Sequence, residues 1–301
     1  MTKRMIENFL TYLEVEKRYS PRTVQTYRDD LAEFCEWLGW TTDEFDAGAV
    51  TEDDVKEWII HLMEEKHNAP RSVKQKLAAL HSLYRFLLRI GKVDKDITRR
   101  VTAPKTDKPL PIFFKPAEME EATAYDHDAD DPESIRNCLI IQMLYQTGMR
   151  RAEMIGLKDS DIDTREGQIR VFGKRSKERM IPIGEGLCAM IERYREVRGD
   201  GCGMFFVRWK KDGEPVPLTI AQLYNIVRAR MGEVSTLKKH SPHVLRHTFA
   251  TAMLNNGADI RTIQQLLGHA SLAATQIYSH TTFEQIKKTY NNAHPRAKNK
   301  Q

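Results

Sequence analysis

Residues 102–112, TAPKTDKPLPI, hold three prolines and no apolar period. Proline removes a backbone donor, fixes its own φ and pushes the preceding residue out of the helical region. No helix or internal strand crosses such a stretch, so it reads as an extended linker. It cuts the 301-residue chain into a shorter first part and a longer second part, each long enough for its own core. The expected division is 1–101, the linker 102–112, and 113–301.

The first part carries four helical stripes. Ile6, Phe9, Leu10 and Leu13 follow the i, i+3, i+4, i+7 spacing of one helix face. Ser20 is a natural N-cap before Pro21, and Val24, Tyr27, Leu31, Phe34 and Leu38 continue a second stripe to Gly39. Thr51 caps a third helix with Val55, Trp58, Ile59 and Leu62. A fourth runs from about Arg71 to Gly91, with Val73, Leu77, Leu80, Tyr84, Leu87 and Leu88 inward. Beyond the linker the pattern is mixed. Helices are expected near 116–125, 132–148 and 185–198, a β-hairpin from QIRVFG and ERMIPI around KRSK, and helices again from Thr219 to about 290. The fold class expected is mainly α with a small β component: a helical bundle followed by a larger α+β domain.

Charge singles out the fourth helix. The net charge of +5 is mild, but residues 66–104 carry ten basic and two acidic side chains. Arg71, Lys74, Arg85 and Arg89 share one face with the small Ala78 and Ser82 between them, which lets a phosphate backbone approach closely. These four are the candidate DNA contacts. No apolar run nears the roughly 18 residues of a membrane span. The acid-bearing amino terminus MTKRMIENFLTYLEVEK matches neither a signal nor a transit peptide, so a cytoplasmic protein is expected. Cys35, Cys138, Cys188 and Cys202 lack CxxC spacing and read as reduced thiols.

Several stretches in the second part call for more than packing. The helix from Pro132 ends in YQTGMRRAE, with Gly148 a plausible C-cap and Arg150 just past it. Lys174 opens the turn of the expected hairpin. SPHVLRHTFAT puts His243, Arg246 and His247 within five residues, and IQQLLGHASLAATQIYSH holds His269 and, nine residues on, Tyr278. His243 and His247 have the one-turn spacing of zinc proteases, but the glutamate needed after the first histidine is replaced by Val244. An anion pocket or a polar helix turn remains.

Taken together, the set resembles the tyrosine recombinase (phage integrase) family, and Xer-type, XerC-like site-specific recombinases in particular. The family places an arginine in TGLR, a lysine on a β-hairpin, then HxxR, LGH and a tyrosine. Those positions are Arg150, Lys174, His243, Arg246, His269 and Tyr278 here, and YSPRTVQTYRDDL and AHPRAK extend the resemblance to both ends. It implies a SAM-like core-binding bundle ahead of a catalytic domain, and strand cleavage through a 3′-phosphotyrosyl intermediate. Tyr278 would be the nucleophile, Arg150 and Arg246 the clamp on the non-bridging oxygens, His243 the base and Lys174 the acid. His269 would bond or orient the phosphate; the residues alone do not choose which histidine is the working base. A phenol of pKa near 10 needs such activation, and forked guanidinium donors suit a phosphate better than lysine does.

No cofactor is expected: the energy stays in the phosphotyrosine bond, no GxxxxGK[ST] occurs, no metal is called for, and DHDADD at 126–131 reads as a solvated loop. Glu153, one turn after Arg150, is placed to orient its guanidinium; His247 reads as packing, and Trp209 as a packed hairpin aromatic or a backbone contact. The partners implied are double-stranded DNA with inverted-repeat half-sites, a recombinase tetramer (homomeric or with a related Xer recombinase), and a cell-division DNA translocase; no membrane is implied. The terminal segment, about residues 283–296, would dock on a neighbouring subunit, so that deleting 282–301 would spare binding by single protomers. Chromosome dimer resolution is the task the resemblance favours. Competing readings are a mobile-element integrase or invertase, a type IB topoisomerase, an inactive DNA-binding regulator and, remotely, a zinc hydrolase.

Overall fold

The computed structural model describes residues 4–105, 112–124, 131–173, 178–199, 202–268 and 280–297, the last with side chains from 283. The chain divides into two compact units, Met1–Pro109 and Leu110–Gln301.

The first unit is four helices, α1 (Met5–Val15), α2 (Pro21–Trp37), α3 (Glu52–Glu64) and α4 (Pro70–Arg89), closed by a 3-10 turn at Ile97–Arg100. Side-chain caps start two of them: Ser20 Oγ accepts from Thr23 N at 3.2 Å, and Thr51 with Asp54 forms a reciprocal capping box. Their apolar stripes meet around Phe9, Phe34, Trp58, Leu80, Leu83 and Tyr84. One expectation fails: Leu88 is 42% exposed. Leu80, Leu83 and Leu87 already fill the inner face at the 3–4 spacing, and Leu88 lies one step of about 100° around the helix from Leu87.

In the second unit, α5 (Pro116–Ala122) leads into α6 (Pro132–Thr147), and α7 (Arg151–Ile155) follows. Helix α6 is buried around most of its circumference, as befits the middle of a domain. Strands β1 (Ile162–Asp163), β2 (Gln168–Phe172) and β3 (Glu178–Pro182) form an antiparallel sheet in that order, with Ile169 opposite Ile181 and Val171 opposite Arg179. Next come α8 (Glu185–Arg198), the short hairpin β4 (Val207–Trp209) and β5 (Pro215–Pro217), and helices α9 (Ile220–Val234), α10 (Pro242–Asn255), α11 (Ile260–Leu267) and α12 (His280–Ala293). Trp209 is partly buried against this core, with the Arg136 guanidinium 5.6 Å from its ring centre. Among the described residues no helix is long and apolar enough to cross a membrane. The segment 126–130 lies outside the described residues, while Asp131 caps α6.

Within the chain, the described residues of the terminal segment pack against the second unit. Ile286, Tyr290, Ala293 and His294 are buried, and Asn256 Nδ2 donates to Ala293 O at 2.8 Å. A truncation at 282 would therefore also remove part of this unit's core.

Candidate active site

Of the six candidate catalytic residues, Arg150, His243 and Arg246 are described; Lys174, His269 and Tyr278 lie outside the described residues. The three that are described come from two helix ends. Gly148 stops α6 in the left-handed conformation (φ 59°) and turns the chain so that Arg150 stands as N-cap of α7. Ser241 and Pro242 start α10, whose inner face buries Val244, Leu245, Phe249 and Met253. Arg246 is on that inner face, only 8% exposed.

A buried guanidinium needs acceptors. Arg246 Nη1 donates to Gly148 O at 2.7 Å and Nη2 to Leu267 O at 2.6 Å. Arg150 Nη2 donates to Gly268 O at 3.2 Å. The two arginines thus meet at consecutive carbonyls that end α11, and Arg246 also holds the carbonyl two residues before Arg150. The C-terminal carbonyls of a helix carry its negative partial charge, which suits cations there. Burial, with the neighbouring Arg150 and Arg179 adding to it, pushes the Arg246 pKa down to about 10.

Glu153 ties the cluster together. Its Oε2 accepts from the Arg150 backbone N–H at 2.7 Å and its Oε1 from Arg150 Nη1 at 2.8 Å, the orienting contact its spacing suggested. Arg179 grips the same carboxylate with Nη1 at 3.1 Å and Nη2 at 2.8 Å, and its Nε donates to Leu266 O at 2.7 Å. Burial opposes the charge on Glu153, but the donors from Arg179 and Arg150 outweigh it and hold the carboxyl below its usual range. Three guanidiniums around one carboxylate leave an excess of positive charge, which an anion such as a phosphodiester would balance.

Arg179 was missed by the sequence reading, although a signal existed. With Ile169, Val171 and Ile181 facing the core, the period of two places Arg179 inward as well, and a charged residue there demands a partner.

His243 and His247 are exposed on α10, their Nε2 atoms 3.0 Å apart and their rings 4.4 Å apart edge to face. His247 therefore touches His243 instead of packing inward. Among the described residues no three His, Cys, Asp or Glu side chains gather to hold a metal. In the first unit Arg71, Lys74, Arg85 and Arg89 are all exposed on α4. Arg89 is engaged as well, its Nη1 donating to Tyr12 Oη at 2.8 Å with the guanidinium 4.2 Å from that ring's centre.

Comparison with known proteins agrees across both units. The model of the phage integrase family matches residues 113–285, and that of the phage integrase N-terminal SAM-like domain matches residues 6–91. Tyrosine recombinase XerC of Pediococcus pentosaceus is 37% identical over 300 residues, 97% of this chain and 98% of that protein. Tyrosine recombinase XerD of Halalkalibacterium halodurans is 35% identical, over 97% of this chain and 98% of its own. Among solved structures, the XerH site-specific recombinase bound to difH substrate in a pre-cleavage complex aligns with TM-score 0.64 and 22% identity, covering 93% of this chain and 82% of that one. The Tn1549 transposon integrase in complex with transposon right end DNA aligns at 0.69 and 19%, covering 95% and 98%. At those identities the two structures speak to the fold.

Proposed function

The chain belongs to the phage integrase family of tyrosine recombinases, enzymes that cut and rejoin DNA at specific sites, and from that premise we propose what its own residues do and which task they serve. Arg150 and Arg246 clamp the two non-bridging oxygens of the scissile phosphate, where charge concentrates in the transition state. Each such preorganised donor is worth on the order of 10²–10³ in rate. Tyr278 attacks phosphorus through its phenolic oxygen as His243 takes the proton, and the bond to the 5′ oxygen breaks with a proton from Lys174. The 3′ phosphate is then held on tyrosine. Attack by a 5′ hydroxyl from a second strand reverses the step and seals the exchanged junction, so the bond energy is conserved and no nucleotide cofactor is consumed. His269 would bond the phosphate or orient its neighbours.

The observation that carries this reading is the meeting of Arg150 and Arg246 on the last carbonyls of α11, directly before the residues LGH continues into. The test is a nicked inverted-repeat duplex incubated with wild-type protein and with Tyr278→Phe. The wild type forms an adduct that survives denaturing electrophoresis, whereas the variant binds the duplex and forms none. An adduct with the variant would remove Tyr278 from the role.

The task we propose is resolution of chromosome dimers in the cytoplasm, by a tetramer of this protein or of this protein with a related recombinase, under a cell-division DNA translocase. Near full-length similarity to relatives named XerC and XerD supports it. An excision assay on two directly repeated copies of a chromosomal target site checks the task. Exchange restricted to unlike sites of a mobile element would favour integration instead.

A further inference from the structure

Arg179 stands apart from the other two arginines in how completely it is used. Its side chain is 5% exposed, and all three of its nitrogens donate within the protein: two to Glu153 and one to Leu266 O. No donor edge faces out, so Arg179 is not built to touch a substrate. It is instead the link between three parts that are distant in sequence. It belongs to β3, it fixes the carboxylate that orients Arg150, and it holds the end of α11, to which Arg246 and Arg150 also donate. Gly268 closes over it: the backbone there is left-handed (φ 64°), and a Cβ would meet the Arg179 guanidinium at 3.1 Å.

We propose that Arg179 is a positioning residue for strand cleavage: it locks Glu153 against the last turn of α11, so that the Arg150 guanidinium is held ready for the scissile phosphate. The inference rests on the reading of Arg150 as a phosphate clamp. Glu153 alone bears on Arg150 through one helical turn, and a short helix of five residues has little stiffness of its own. The bidentate grip from β3 removes that freedom before DNA arrives, which is where preorganisation gains its effect. Lysine cannot replace it, since one ammonium cannot reproduce a planar fork plus a third donor at Nε.

The experiment compares wild type, Arg179→Lys, Arg179→Gln, Arg150→Ala and the double variant Arg150→Ala/Arg179→Lys on a nicked target duplex. One set of duplexes carries the ordinary scissile phosphate and the other a neutral methylphosphonate at that position. Without the phosphate charge, the clamp is no longer needed. Arg179→Lys should bind the duplex within about twofold of wild type and cleave the ordinary phosphate at least about tenfold more slowly. On the methylphosphonate it should recover together with Arg150→Ala, and the double variant should be no slower than Arg150→Ala alone. A residue that merely supports the fold would not be rescued by neutralising the substrate. Cleavage by Arg179→Lys at the wild-type rate overturns the proposal, as does failure of the methylphosphonate to restore it, or additivity in the double variant. Loss of both duplex binding and cooperative melting in Arg179→Lys and Arg179→Gln alike overturns it too, in favour of a purely structural role. If wild-type protein itself forms no Tyr278-dependent adduct, the fault lies with the assigned chemistry and not with Arg179.

Discussion

At Gly148 one residue serves both the helix end and the site. Its left-handed backbone ends α6, and its carbonyl accepts from Arg246 at 2.7 Å. A Cβ at this position would lie 2.4 Å from Phe249 Cδ1 and 2.9 Å from Leu267 Cδ2. Gly148→Ala should therefore cost about 2–4 kcal/mol of stability, from backbone strain and overpacking together, read by urea denaturation. Cleavage of the nicked substrate should fall with it, because the carbonyl that seats Arg246 must move. The C-cap was legible from the glycine after an apolar helix, but the crowding was not, since it comes from α10 and α11, over a hundred residues away. The same distinction separates Glu153 from Arg179: a partner at i+3 on one helix can be counted off, whereas a strand-to-helix-end contact needs the register of the sheet.

Among the helices, α12 and the residues after it carry a built-in sensitivity to acid. His294 is 3% exposed, its Nε2–H donating to Tyr145 O at 3.3 Å and its Nδ1 accepting from Arg296 N at 3.1 Å. Both nitrogens are thus satisfied by the neutral ring, and burial pushes the pKa down to about 4 from an ordinary 6.5. A folded-state pKa below the unfolded one gives stability that is full above about pH 6.5 and is lost as pH falls toward 4. At pH 5 the loss should be about 2 kcal/mol, at about 1.4 kcal/mol per unit. Melting curves between pH 7 and 5 check it, and His294→Gln should flatten the dependence. Deleting 282–301, which takes away Tyr290 as well, should lower the melting temperature at neutral pH. On α4, Arg71→Ala, Lys74→Ala and Arg85→Ala should each weaken duplex binding and reduce the salt slope by about one. Arg89→Ala should do less, because that guanidinium is bonded to Tyr12; mobility shifts at several salt concentrations compare them. The helices of both units were legible because their stripes are long and periodic. The outward Leu88 and the five-residue α7 were not, because neighbours and not local period decide such elements.

At the scale of the molecule, the two units keep separate cores, one gathered around Trp58 and Tyr84, the other around α6. The proline tract made the existence of two bodies readable, since no regular element can bridge it. What the sequence could not display is that the second core is completed by its last turn of chain, where a Cβ on Gly184 would strike Ala297 O at 2.8 Å. The contact between Gly268 and Arg179 reaches further, into how lineages of this fold are free to drift. The glycine of the LGH signature answers both to its left-handed backbone and to the guanidinium packed against it, so the two positions should evolve as a pair. A descendant that lost the arginine for a shorter side chain would gain room for asparagine, which also accepts a left-handed backbone, and the signature would blur there first.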